Sequence, residues 1–364
     1  MGTIKRTFAN NVLADGKIDA TDLSGTIPAS NIANASVTAV TALPSALGDA
    51  IESVATDPVS PSEGQLWYNT TIGVLKGYLL NSAAWASGGN LNTTRAYFSG
   101  SGTQTAGLAA GGDTAPGANT NASENYNGTS WTSSGNMNTS KESLAGTGTQ
   151  TAAVYFSGYT TPPSPTGDAN TTEKYNGTSW TTSGTMNTAR RGLSNSSAGT
   201  QTAALGFGGN PAAGVTAATE SFNGSTWTTV NSLNTARSYF AGCGTQTAAL
   251  GFGDTAATES WNGTSWTSVN SMNTARGGLA GAGTQTLALA FGGGNPGGVL
   301  GTTESWNGTS WAATTSMTTA RGGSLAGAGI QTATFAAGGA TPTYSNLTEE
   351  FTGAFLSNKN VTIS

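Results

Sequence analysis

The sequence predicts an all-β fold assembled from six near-copies of one four-stranded unit, and three observations carry that expectation. A Gly-Thr-Gln-Thr-like signature places glutamine at Gln104, Gln150, Gln201, Gln246, Gln285 and Gln331, at steps of 46, 51, 45, 39 and 46 residues. Tryptophan keeps a second register, at Trp85, Trp131, Trp180, Trp227, Trp266 and Trp311. Asn-Gly pairs at Asn127, Asn176, Asn223, Asn262 and Asn307, with aromatics on both sides, mark a third. Periods of this size belong to architectures in which each unit is a small sheet that cannot bury its own faces and is completed by its neighbours. A ring of such sheets, a β-propeller, follows.

The best preserved unit assigns the strands. Strand a is the Leu-Ala-Gly-Ala-Gly-Thr-Gln-Thr segment around Gln285, strand b is Ala288-Leu-Ala-Phe-Gly-Gly293, strand c is Thr303-Glu-Ser-Trp306-Asn, and strand d opens at Trp311. Strands a and b are rich in Ala and Gly because the innermost strands converge where large side chains do not fit, while the outer strands accept Trp. Asn-Gly between c and d predicts a two-residue hairpin with positive φ at both central positions. The Asn-Gly-Thr triplets at Asn127, Asn176, Asn262 and Asn307 also match a glycosylation acceptor pattern, but the tight turn explains them better.

The N-terminal region is different. Ile18, Leu23, Ile27, Ile32 and Val37 lie about five apart, a spacing of neither helix nor strand, so an extended segment laid on a partner or on sister chains is expected. Val40, Leu43, Leu47, Ala50 and Val54 follow a three-four rhythm, which with Pro44 in the first turn predicts a short helix near 44–55. It is too short to persist alone. A linker with Pro58 and Pro61 leads to two or three strands over 64–85. Because Asn81 and Trp85 match Asn127 and Trp131, the chain is expected to enter the ring in the middle of a blade. The division is then 1–60, an extended segment for attachment and oligomerisation, and 61–364, the propeller. Six blades are expected. Seven are the alternative, because Thr348-Glu-Glu350-Phe-Thr-Gly-Ala-Phe355 reads as one more c-d half with Phe355 in place of Trp.

Charge is scarce: 9% of the 364 residues are charged, with a net charge of -5. No basic stripe is present to neutralise phosphates, so nucleic acid is not an expected partner. No apolar run is long enough to span a bilayer, and the first ten residues lack a signal-peptide core. The chain has no histidine and one cysteine, Cys243. That removes the usual general base and the usual zinc or copper ligand, and reads Cys243 as a small buried strand residue. No cofactor and no metal are expected. Arg95, Lys141, Arg190, Arg237, Arg276 and Arg321 recur once per unit, as do Glu124, Glu173, Glu220, Glu259, Glu304 and Glu350. Charges this rare and this periodic predict structural pairs that tie blade to blade.

Gly292-Gly293 after strand b, Trp306 and Trp311 a few residues apart, and Arg321 opening the next unit resemble the kelch motif, over residues about 73–356. That resemblance implies a propeller of six blades closed by strands from both ends of the chain. Asp22-Leu-Ser-Gly-Thr-Ile-Pro-Ala-Ser-Asn31 and Pro61-Ser-Glu-Gly-Gln-Leu-Trp67-Tyr-Asn are similar to stretches of tailed-bacteriophage fibre and other virion-appendage proteins. That similarity implies a virion component on the phage tail or capsid surface, assembled in the host cytoplasm.

The b-c and d-a connections share one end of such a ring. The b-c loops differ greatly in length, from a minimal loop after Gly253 to a long one with Pro162, Pro163 and Pro165. Variation concentrated on one face of a rigid scaffold marks a recognition surface. Candidate contacts there are Asp113, Asn119, Tyr159, Pro163, Asp168, Asn210 and Asp254. Copper-oxidase chemistry is excluded by the absence of histidine, and no calcium-loop motif is present. Asp113, Asp168 and Asp254 are the acids whose convergence glycosidase chemistry or calcium would need, but a non-enzymatic protein is the expectation. Its expected partners are other virion proteins through residues 1–60, sister chains as a homo-oligomer with a trimer favoured, and a host-surface glycan. A purely architectural head-fibre, decoration or tail component and a cytosolic kelch-type adaptor are the alternatives.

Overall fold

The computed structural model describes residues 51–160, 167–193 and 198–361, and these divide into two units, Ala83–Gly353 and the segments on either side of it.

Six four-stranded antiparallel sheets make up Ala83–Gly353. The first runs Ser99–Thr103, Ala106–Ala110, Ser123–Tyr126 and Trp131–Ser133, strands a to d. Four more follow over 145–183, 198–230, 241–269 and 280–314. In the sixth, strands a to c are Ala326–Ile330, Ala333–Ala337 and Thr348–Thr352, and strand d is Ala84–Ser87, from the other end of the unit. Each innermost strand packs against the next, and Ala326–Ile330 packs against Ser99–Thr103, so the six sheets close into a ring. This is the arrangement of a β-propeller.

The core is not one body but six interfaces. Ala241, Leu250 and Phe252 of the fourth sheet pack on Ala288, Ala290, Trp306 and Trp311 of the fifth. The same pattern joins the sixth sheet, through Ala326, Phe335 and Ala337, to Phe98, Tyr126 and Trp131 of the first. Close approach explains the small residues of strand a: a Cβ added at Gly281 would lie 2.6 Å from the Phe252 ring. Full burial of such aromatics is worth about 1.5–3 kcal/mol each, and each sheet obtains it only from its neighbour.

Two polar staples repeat at these interfaces. Each glutamine donates from Nε2 to carbonyls of strands b and c in the preceding sheet: Gln150 to Gly107 and Tyr126, Gln201 to Ala153 and Tyr175, Gln331 to Ala288 and Trp306. Gln104 closes the circle by donating to Thr334 and Phe351. Trp131, Trp227, Trp266, Trp311 and Trp85 donate from Nε1 to the threonine that opens strand c of the preceding sheet. Trp180 donates instead to the Gly135 carbonyl, because the first sheet has Ser123 at that place. The Ser123 hydroxyl is left without a partner.

Three expectations are corrected. Phe355 does not begin a seventh blade: it is half exposed in Phe355–Asn360, which pairs with Val74–Asn81, while Trp85 opposes Phe351 as Trp131 opposes Tyr126. The Asn-Gly turns are four-residue loops with positive φ at Gly128 and its equivalents, not at Asn. There the Asn127 carboxamide oxygen accepts from the Thr129 and Ser130 amides, an Asx turn that leaves Asn in an ordinary conformation. The helix near 44–55 fails at its end: Glu52–Val54 is a strand, parallel to Leu66–Asn69. Sheet hydrogen bonds satisfy that backbone at once, whereas a three-turn helix is marginal by itself. Residues 44–50 and the extended segment before them lie outside the described residues.

The second unit is a four-stranded sheet of Glu52–Val54, Leu66–Asn69, Val74–Asn81 and Phe355–Asn360. In sequence this unit stops before Ala83 and resumes after Gly353. Asp57 gathers this sheet's polar groups, accepting from Lys76 Nζ at 2.6 Å, Asn69 Nδ2 at 2.8 Å and Trp67 Nε1 at 3.1 Å. Those donors hold its carboxyl well below the ordinary range.

Candidate functional site at the b-c end of the ring

Each sheet is entered through a crossover of the form Leu/Met-Asn/Thr-Thr-x-Arg/Lys, and the repeated charges lie here. Arg95 Nη2 meets Glu124 Oε1 at 2.5 Å, and Arg190, Arg237, Arg276 and Arg321 pair with Glu220, Glu259, Glu304 and Glu349 at 2.6–3.0 Å. Lys141 reaches Glu173 only to 3.7 Å. In the sixth sheet the partner is therefore Glu349, not Glu350, because Glu349 occupies the strand position of Glu124. Glu350 faces the other way and accepts from the Tyr126 hydroxyl of the first sheet at 2.5 Å. The second carboxylate oxygen accepts a crossover amide, as Glu124 Oε2 does from Asn92 and Glu304 Oε2 from Asn273. These ions are buried, so removing one partner strands the other at about 3–5 kcal/mol. They anchor each crossover to the sheet it enters.

Two or three residues after the cation, the backbone turns left-handed, at Tyr97, Ser143, Gly192, Tyr239, Gly278 and Ser324. Their amides form a closed belt: Ser143 donates to Tyr97, Gly192 to Ser143, Tyr239 to Gly192, Gly278 to Tyr239, Ser324 to Gly278, and Tyr97 to Gly323. The belt draws the six crossovers together at one end. The b-c loops join it by bridges between Ala96 and Asp113, Glu142 and Tyr159, and Arg191 and Asn210.

The axial space behind the belt is a cavity of about 100 Å³ lined by strand a of five sheets. Its side-chain polar groups are all engaged. Ser101 Oγ lies 3.3 Å from Tyr155 Oη, Thr147 Oγ1 donates to Gly199, and Cys243 Sγ donates to Thr284. Burial raises the Cys243 thiol far above its ordinary pKa. The expected role for Cys243, a small buried strand residue, fits. Among the described residues no three acidic or thiol groups gather to hold a metal.

Chemistry concentrates instead on the belt's outer side. The Tyr97 ring is met edge-on by Tyr239 at 6.5 Å and Tyr344 at 6.3 Å. Tyr344 Oη donates to Asp113 Oδ2 at 3.0 Å, and the Gly117 amide donates to the same oxygen at 3.1 Å. Asp113 Oδ1 has no hydrogen-bond partner, although the residue is only 3% exposed. Glu142 lies close enough for Asp113 to act on it: desolvation first, then the Asp113 charge, raises its pKa to about 7, against a lowering by Arg191. Desolvation likewise raises Tyr97 and Tyr344.

The predicted contacts divide. Asp113 and Asn119 bridge each other, and Asn119 Nδ2 donates to the Tyr159 carbonyl at 2.7 Å. Tyr159 is 6% exposed, under the Arg191 guanidinium at 4.5 Å. Asp168 pairs with Arg191 at 3.3 Å, and desolvation raises its pKa. Asn210 bridges Arg191. These five are gathered over the first three sheets. Asp254 belongs to the fourth, holds a left-handed φ of 69° and accepts from the Ser238 amide at 3.4 Å. Pro163 lies outside the described residues. Tyr97, Glu142, Arg191, Tyr239 and Tyr344 were not among the candidates. Four of them occupy the crossover positions just after the repeated cation, where the unit otherwise places Ala, Ser or Gly, and that departure was the available signal.

No family model matches the chain, and no curated protein matches it.

Proposed function

We propose that this chain is a non-enzymatic virion appendage protein, a kelch-like six-bladed propeller whose b-c end adheres to a glycan of the host surface. The carrying observation is a division of labour among its side chains. Glutamines and tryptophans repeat around the ring and join one sheet to the next, and the ion pairs repeat with them, whereas Tyr97, Tyr239, Tyr344, Asp113 and Glu142 fall outside the repeat and collect on one end. Rings such as Tyr97, Tyr239 and Tyr344 offer apolar faces with polar rims, and Asp113, Glu142 and Asn119 offer oriented acceptors. That combination suits a hydroxyl-rich ligand. Gly-Gly after strand b and closure by Ala84–Ser87 support the kelch-like reading. Residues 1–60 would join sister chains, as a trimer, or dock on the particle, and copies in parallel would raise weak contacts to useful avidity.

A glycan array and a host-cell binding assay with the full chain test this. Binding that falls on Tyr97→Ala or Tyr239→Ala is expected. Retention of the protein on particles with no binding to glycans or cells would favour the purely architectural alternative.

A further inference from the structure

We infer that the b-c end recognises a primary ammonium group, held between Asp113, Asn119 and Glu142 beside the Tyr97, Tyr239 and Tyr344 rings. This deepens the adhesion reading and rests on it. Three acceptors there lack donors. Asp113 Oδ1 and Asn119 Oδ1 are buried without hydrogen-bond partners, and the Glu142 carboxylate has no partner among the described residues. A buried acceptor left unpaired is costly, so Asp113 and Asn119 each invite a donor from outside, and the half-buried Glu142 adds its carboxylate beside them.

Backbone pairing brings them together. Asp113 bridges Asn119, Asn119 Nδ2 is bonded to the Tyr159 carbonyl, and Tyr159 bridges Glu142. A primary ammonium carries three donors and no acceptor, which matches three orphan acceptors; a hydroxyl offers one. Charge decides in the same direction. The nearby cation is Arg191, which is committed to Asp168 at 3.3 Å and lies over the Tyr159 ring, so the Asp113 and Glu142 charges repel each other without a counter-ion of their own. The tyrosine rings add a face favourable to a cation. A quaternary ammonium would gain from the rings but has no N–H for the carboxylates, so a primary amine is the better match.

Titration calorimetry of the full chain with D-glucosamine, N-acetyl-D-glucosamine and choline tests the inference. Glucosamine is expected to bind about tenfold or more tightly than the other two, as one charge-assisted hydrogen bond predicts. Glu142→Gln and Asp113→Asn, which keep the shape of the side chains, are each expected to weaken it about tenfold without lowering the melting temperature. Glucosamine affinity should also fall as pH drops below about 7, where Glu142 takes up a proton. The charged groups facing it are Asp113 and Arg191, and the neighbouring Tyr97 and Tyr344, raised by desolvation, stay neutral across that window. Equal affinity for glucosamine and N-acetylglucosamine, unaffected by Glu142→Gln but lost on Tyr97→Ala, would overturn the ammonium assignment and leave the adhesion reading standing. No binding of any saccharide, here or on the array, would remove both.

Discussion

Lys141 stops 3.7 Å short of Glu173, in the one sheet of six where lysine replaces arginine. Its ammonium turns to the Thr171 carbonyl and hydroxyl, and Glu173 Oε1 is left without a hydrogen bond. Desolvation, against attraction by Glu173, pulls the lysine pKa down to about 8. Lys141→Arg should restore the short pair of the other sheets and raise stability by about 0.5–2 kcal/mol. A higher urea midpoint with unchanged slope would bear this out, and a lower midpoint would mean that the pocket cannot admit a guanidinium.

Closure of the ring invites a comparison of equivalent residues. Gln104 staples the first sheet to strands b and c of the sixth, which come from the far end of the chain, while Gln201 makes the same two bonds to a sheet whose four strands are consecutive in sequence. Each Gln→Ala change removes two hydrogen bonds to buried carbonyls, at about 1–3 kcal/mol. Gln104→Ala should additionally let Ala84–Ser87 and its neighbours open below the global transition. Hydrogen exchange read on Thr348–Thr352 would be faster in Gln104→Ala than in Gln201→Ala. Equal protection in the two variants would show that the outer strand alone holds the ring shut.

The repeat was legible because its physics is repeated. Gln and Trp recur wherever one sheet must satisfy the next, so their spacing revealed the architecture; the periodic charges do pair, but each pair holds a crossover to the sheet it enters and does not tie blade to blade. Glu350 was misassigned because Thr348-Glu-Glu-Phe presents two carboxylates in sequence and only the strand register says which faces Arg321. The helical rhythm ending at Val54 was overridden by pairing with a strand more than ten residues away. The b-c end was half legible. Loop length pointed to Asp113, Asn119 and Tyr159, but Tyr97, Glu142 and Tyr239 sit inside the repeated crossover, where periodicity hides a substituted residue.

Asp254 takes a left-handed φ of 69° at a position where the other sheets use Gly112, Gly158, Gly209, Gly293 and Gly339. Its one bond to the Ser238 amide is long, at 3.4 Å. A non-glycine residue there carries strain, so Asp254→Gly should be neutral or stabilising by up to about 1 kcal/mol. Thermal melting measures that. A clear loss of stability would show that the carboxylate holds the short loop in place, and a loss of ligand binding at unchanged stability would put Asp254 in the contact surface.

Glu142 makes stability fall as pH rises, the reverse of a salt-bridged carboxylate. Its folded pKa, about 7, lies above the ordinary value of 4.5. Between those two values the folded protein holds a proton that the unfolded chain has released, so stability declines through this window and stays lower above it. Glu142→Gln keeps the shape and removes the titration. Its melting temperature should match that of the natural protein at about pH 4.5 and exceed it at about pH 8, with the difference growing across the window. Tyr97 and Tyr344, raised by desolvation, stay protonated throughout and contribute nothing to that slope. A constant difference at every pH would mean that solvent screens Glu142 from Asp113, and that the proton is not held where the geometry places it.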